Sequence, residues 1–214
     1  MKIPGPFFDL DEIAVPNVLR LVSRDGTNRL TSERVSALTN QIRILAANPR
    51  PLVITGNSKF FSAGADLHEI AALTGPDACA FSGMGQDLMN AVAAFPATVY
   101  AAISGYCMGG GLDLALACHR RIASPNAIFG HRGAALGLIT GWGGTQRLPR
   151  LVGRARALQM FVAAEKIHAP EALHIGLIDY VVADPVSFAA QTLAVQPQSS
   201  CGAQFAITRC PDIP

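Results

Sequence analysis

The chain has little charge to spare. Only 15% of its 214 residues are Asp, Glu, Lys or Arg, and the formal net charge is +2. It has no lysine–arginine cluster of the kind that binds nucleic acid or an anionic membrane surface. The densest basic stretch, Arg147, Arg150, Arg154 and Arg156, has the helical spacing of a solvated face. Also absent is any run of roughly 18 apolar residues, the length a membrane-spanning helix needs. The opening "MKIPGPFFDLDEI" puts acids and prolines where a secretory signal has an apolar run, so a cytoplasmic location is expected. The cysteines at 79, 107, 118, 201 and 210 are odd in number and lack CxxC spacing. They read as reduced thiols, some of them buried, and no metal site is expected. No internal repeat of fixed period is visible.

Hydrophobic residues make up 50% of the chain, enough for a large core. Residues 17–23, "NVLRLVS", have the alternation of a strand, and 31–48 carry apolar residues at helical spacing behind a Thr31 or Ser32 cap. The short apolar runs 51–56 and 98–104 suit buried parallel strands. A helix is expected from about 78 to 94, another in "LDLALACH", and a strand in "RRIAS". Residues 143–164 hold one or two helices around Pro149, then a short helix at 170–176 and a strand at 177–182. Alternating strands and helices predict an α/β fold with parallel pairing. No clear helix is expected after Val195.

Two stretches share one design. In "ITGNSKFFSAGADLHEI" (54–70) and "AAISGYCMGGGLDLALA" (101–117), a buried strand runs through a small-residue turn into a helix. A helix start leaves backbone N–H groups unpaired, and its dipole favours negative charge. Two such starts side by side supply two donors to one oxygen, an oxyanion hole. Neither stretch fits the phosphate-loop consensus or GxGxxG, which disfavours a dinucleotide-binding oxidoreductase.

"FFSAGADLHEI" followed some forty residues later by "ISGYCMGGGLDLALAC" resembles the crotonase, or enoyl-CoA hydratase/isomerase, family. "ASPNAIFG", "LGLITGWGGTQRLPRLVGRARALQM" and "PEALHIGLIDYVV" continue the likeness in order, from about residue 17 to 182. The resemblance implies a crotonase-like spiral of ββα units over residues 1–182. Residues 183–214 would be a shortened C-terminal segment, with a truncated helical region. It implies an acyl-CoA thioester of the fatty-acyl type as substrate, no separate cofactor beyond the CoA the substrate carries, and assembly as a homotrimer or hexamer.

Carried over by position, Ala65 and Gly110 would donate the two N–H groups to the thioester oxygen. Ser62, Ala63 and Gly64 would line the approach to CoA, with Leu67, Gly109 and Gly133 beside them. Asp66 starts a helix and His68 would meet the nucleotide end. Trp142 would pack against the acyl group or the core. Asp113, two positions after the glycines, is either the first catalytic acid or a first-turn acid serving the helix dipole. The family's second acid falls at Gly133, where no carboxylate stands. His131 is the nearby candidate for proton transfer and Arg132 for holding a substrate carboxylate; both also read as surface-loop residues. His119 reads as a cation at a helix end, and His168 and His174 as structural. The expected activity is of the enoyl-CoA hydratase/isomerase type. The alternatives are a single-acid isomerase, decarboxylase or thioester hydrolase, or an inactive acyl-CoA-binding paralogue.

Overall fold

The computed structural model describes residues 2–12 and 16–195. An N-terminal hairpin of β1 (Lys2–Pro4) and β2 (Phe8–Asp11) leads into β3 (Asn17–Leu21) and helix α1 (Ser32–Ala46). Three two-strand units follow. They are β4 (Leu52–Thr55) and β5 (Phe60–Ser62), then β6 (Val99–Ile103) and β7 (Tyr106–Met108), then β8 (Arg120–Ala123) and β9 (Ile128–Gly130). The first unit feeds α2 (Leu67–Ala71) and α3 (Gly75–Ala93), the second α4 (Gly110–Ala117), and the third α5 (Gly144–Val152) and α6 (Arg154–Ala163). The described chain closes with β10 (Ile167–His168), α7 (Ala169–His174), β11 (Tyr180–Val181) and α8 (Pro185–Val195).

Each unit gives its first strand to a large sheet and its second to a small one. The large sheet runs β1-β2-β3-β4-β6-β8-β11 and the small one β10-β9-β7-β5. This is a ββα repeat with unequal connecting helices, so it leaves no fixed period in the sequence.

Strands β4 and β6 are buried along their whole length because the large sheet is covered on both faces. Successive side chains alternate between the faces. Val53, Tyr100, Ala102 and Ile122 pack under Ala189 and Leu193 of α8. Leu52, Ile54, Val99, Ala101 and Ile103 join the main core with Val35, Leu38 and Ile42 of α1 and Leu88, Met89 and Val92 of α3. The helix starts are capped locally: the Thr31 hydroxyl accepts from the Arg34 N–H, and Thr74 and Asp77 form a capping box.

Some expectations need correcting. Pairing is not parallel throughout, since β1, β2 and β3 pair antiparallel, as do β9 and β10. The 143–164 region is two helices, but the break falls at Gly153 and Pro149 lies inside α5. Proline forfeits one backbone donor there, whereas Gly153, at φ +80°, turns the chain out of the helix. His119 is not a helix-end cation. Its Nδ1 accepts the Val99 N–H, and burial lowers its pKa. The reading of no helix after Val195 lies outside the described residues. Among them, no helix is long and apolar enough to cross a membrane.

A pair of salt bridges pins the edge strand β11 to its neighbour β8 in the large sheet. Asp179, just before β11, lies 2.7 Å from Arg120 Nη1 and 3.2 Å from Arg121 Nη2 on β8. The Arg121 side chain is only 6% exposed. Removing its carboxylate leaves a buried guanidinium without a counter-charge. Asp179→Ala should therefore cost roughly 3 kcal/mol in urea unfolding; a loss under about 1 kcal/mol, the scale of an exposed pair, would contradict this role.

Candidate active site

The small sheet brings the two glycine loops together. β5 and β7 pair in parallel, and the loop that leaves each strand ends at a helix start. In the first loop the Leu30 N–H donates to the Gly64 carbonyl at 2.8 Å. A trans peptide is planar, with its C=O and N–H opposed. The Ala65 N–H therefore points away from Leu30. In the second loop the Asp113 N–H donates to the Gly109 carbonyl at 3.0 Å. By the same geometry the Gly110 N–H points out of the N-terminal end of α4.

The loops touch. A Cβ built on Gly64 would lie 3.1 Å from Gly110 N and 2.6 Å from the Met108 carbonyl. One built on Gly110 would lie 3.3 Å from Ala65 N. Gly64 and Gly109 sit at φ +93° and +50°, which L side chains rarely adopt. These two positions need glycine for conformation, and Gly64 needs it for space as well.

Both amides border a cavity of about 540 Å³. Of the residues singled out in the sequence, Ala63, Gly64, Ala65, Leu67, Gly109, Gly110, Asp113, His131, Gly133 and Trp142 line it, and Arg132 does too. Ser62, Asp66 and His68 do not. The Ser62 hydroxyl is fully buried, donates to the Asn28 carbonyl and accepts from the Gly64 N–H, which holds the first loop in place. Asp66 caps α2 by accepting from the His68 and Glu69 N–H groups, and His68 is exposed. Trp142 is 3% exposed and donates from Nε1 to the Phe81 carbonyl. Its ring lies so close to Gly110 and Gly85 that a Cβ on either would overlap it. It thus serves core and cavity at once. Gly133 begins a 3-10 turn, Gly133–Leu136, and a Cβ there would meet the Leu138 carbonyl at 2.7 Å.

The cavity's polar focus is Asp113, 1% exposed on the wholly buried α4. Its Oδ2 accepts from the Thr140 hydroxyl. Its Oδ1 lies 3.5 Å from His131 Nε2, and neither of those two atoms has a hydrogen-bond partner. Burial pushes the Asp113 pKa up to about 7, against the opposing pull of Thr140, Arg147 and the Gly144 N–H. Burial likewise pushes His131 down to about 4. His131 is therefore not a surface-loop residue: it is 4% exposed, with Phe161 beside its ring. Arg132 is exposed.

Thr140 and the apolar wall escaped the sequence reading. Phe81, Leu136, Ile139, Leu158, Phe161 and Val162 line the cavity, and Ile139 and Val162 are each 70% exposed at the same time. Thr140 is 27 positions from Asp113, so no local pattern links them. Among the described residues no cluster of His, Cys, Asp and Glu is placed to hold a metal ion.

The buried acid and imidazole have opposite effects on stability. Asp113 keeps a proton when folded that the unfolded chain gives up above 3.8, so its burial weakens the fold as pH rises toward about 7. His131 refuses a proton that the unfolded chain takes up below 6.5, so its burial weakens the fold as pH falls toward about 4. Between these limits the two slopes oppose. Relative to the parent, Asp113→Asn should gain stability with rising pH across this window, and His131→Gln should lose it. Each slope should approach about 1.4 kcal/mol per pH unit. Urea midpoints at a series of pH values would measure this, and parallel curves for all three proteins would contradict it.

Comparison with known proteins bears on the family and the fold. Residues 17–201 match the family model for enoyl-CoA hydratase/isomerase. A probable enoyl-CoA hydratase of Bacillus subtilis is 47% identical over 133 residues, 62% of this chain; the match spans 52%, about half, of that relative's length. Among solved structures, Pseudomonas aeruginosa DspI superposes with a TM-score of 0.84 at 32% identity, covering 91% of this chain and 77% of that one. An enoyl-CoA hydratase from Bacillus anthracis gives 0.79 at 35% identity, covering 86% and 72%. The fold is the crotonase fold, and the chain belongs to the enoyl-CoA hydratase/isomerase family.

Proposed function

We propose that this protein processes acyl-CoA thioesters through their enolates. The Ala65 and Gly110 N–H groups bind the thioester oxygen, and Asp113 moves the proton at the α-carbon. The observation that carries the reading is two glycine loops in contact, with Ala65 and Gly110 lining one apolar cavity beside a buried carboxyl whose pKa burial raises.

Charge develops on the thioester oxygen as the α-carbon loses its proton. Fixed amide donors favour that charged state over the neutral ground state, and one such donor is typically worth about 3 kcal/mol. A carboxyl with a pKa of about 7 exchanges a proton readily in either direction near neutral pH. The wall formed by Phe81, Leu136, Ile139 and Leu158 suits a hydrocarbon tail. Overall resemblance favours enoyl-CoA hydratase as the specific activity. Trimeric or hexameric assembly in the cytoplasm belongs to the same reading, with the exposed apolar rim as a surface for burial between copies.

A second reading, an acyl-CoA binder without turnover, draws on Gly133, where the family's second acid has no counterpart. Proton exchange separates the two. In D2O the protein should place deuterium at the α-carbon of a saturated acyl-CoA, detected by mass spectrometry, whatever reaction follows. Asp113→Asn should slow this by at least about 100-fold. Binding of acyl-CoA without any exchange by the unaltered protein would favour the inert binder and overturn the enolate reading.

A further inference from the structure

Asp113 and His131 both line the cavity, and behind its surface two of their buried polar atoms, Asp113 Oδ1 and His131 Nε2, lie 3.5 Å apart without hydrogen-bond partners. Buried polar atoms are nearly always paired, and leaving one unpaired is costly. The residue against both side chains is Gly144, whose N–H also acts on the Asp113 carboxyl. A Cβ there would come 2.2 Å from Asp113 Oδ1 and 3.0 Å from His131 Cε1. The two groups sit on different elements, α4 and the segment after β9, so only the fold brings them together.

We propose that His131 is the second proton-handling group of this cavity and acts with Asp113 as one pair that adds water to a 2-enoyl thioester or removes it from the 3-hydroxyacyl product. This rests on the acyl-CoA reading above, and it supplies the function that Gly133 leaves vacant with a residue of different chemistry.

The step balances without an oxidant or reductant. His131 Nε2 takes a proton from water as the water oxygen bonds to the β-carbon. The π electrons move toward the carbonyl, giving the enolate held by Ala65 and Gly110. The Asp113 O–H then protonates the α-carbon. The proton on His131 passes to the Asp113 carboxylate and restores the resting pair, after closure of their contact by a few tenths of an ångström to about 3 Å. One water is consumed, and a C–O and a C–H bond replace the π bond.

The resting state required is a protonated Asp113 and a neutral His131, and burial biases both groups that way. The groups around them fit. The Thr140 hydroxyl holds Oδ2, and Arg147 on α5 acts on Asp113 through its charge, while its guanidinium donates to Asn90 and the Trp142 carbonyl. Cys107 on β7 is buried with its thiol pushed well up, so it stays neutral. On α6, the Phe161 ring packs beside His131.

The test compares two reactions in one protein: hydration of a trans-2-enoyl-CoA, and α-hydrogen exchange of the saturated acyl-CoA. Exchange needs only the amides and Asp113, whereas hydration needs both members of the pair. His131→Gln should lower the ratio of hydration to exchange by at least about 100-fold, the lower end of the range for losing one acid–base group. Gly144→Ala keeps both side chains but presses a methyl against each of them, and should lower the ratio in the same direction. The kcat/KM for hydration should be bell-shaped, with limbs set by His131 and Asp113. His131→Gln should lose the acid limb, which a merely structural histidine would not control. Exchange without hydration by the unaltered protein overturns the pair and leaves the enolate reading standing. An unchanged ratio and acid limb in a folded His131→Gln protein also overturns it. Absence of both reactions overturns the acyl-CoA reading and the pair with it.

Discussion

The site depends on the parallel pairing of β5 with β7. These strands are only three residues each, yet their register sets two glycine loops against one another. Everything at the cavity follows from that contact. The Leu30–Gly64 hydrogen bond turns one amide outward, the first bond of α4 turns the other, and Trp142 packs directly against Gly110. Side chains on these residues would push the loops apart, so the glycines are a packing requirement before they are a chemical one.

Burial does the second part of the work. Helix α4 is apolar except for Asp113, and all of its residues are buried, with Gly110 and Asp113 at the wall of the cavity. A carboxyl in such a place holds its proton to higher pH because the ion is poorly solvated. The same burial keeps His131 neutral. The protein thus carries a buried carboxyl and a buried imidazole side by side at the wall of one cavity.

Much of the fold was legible in the sequence because its long elements have clear periods. Strands β4 and β6 read as uninterrupted apolar runs since both of their faces are covered, and α1 showed its cap and its stripe. The small sheet was not legible. Strands of two or three residues hold too few side chains for alternation to register, and their pairing partners are dozens of positions away. The N-terminal hairpin was hidden by its prolines and acids, and the break at Gly153 by the more conspicuous Pro149.

The sequence by itself determined the backbone chemistry of the cavity: glycines at 64 and 109, an acid two positions beyond the triplet, and the absence of a carboxylate at Gly133. Those are local facts, fixed by residue type and by spacing along the chain. Only the tertiary structure decided that His131 faces Asp113 instead of solvent, that Thr140 holds the acid's other oxygen, and that Ser62 supports a loop without lining the cavity. These depend on which segments meet across the fold. Burial, which sets the protonation of both groups, is a property of the surroundings and not of either residue.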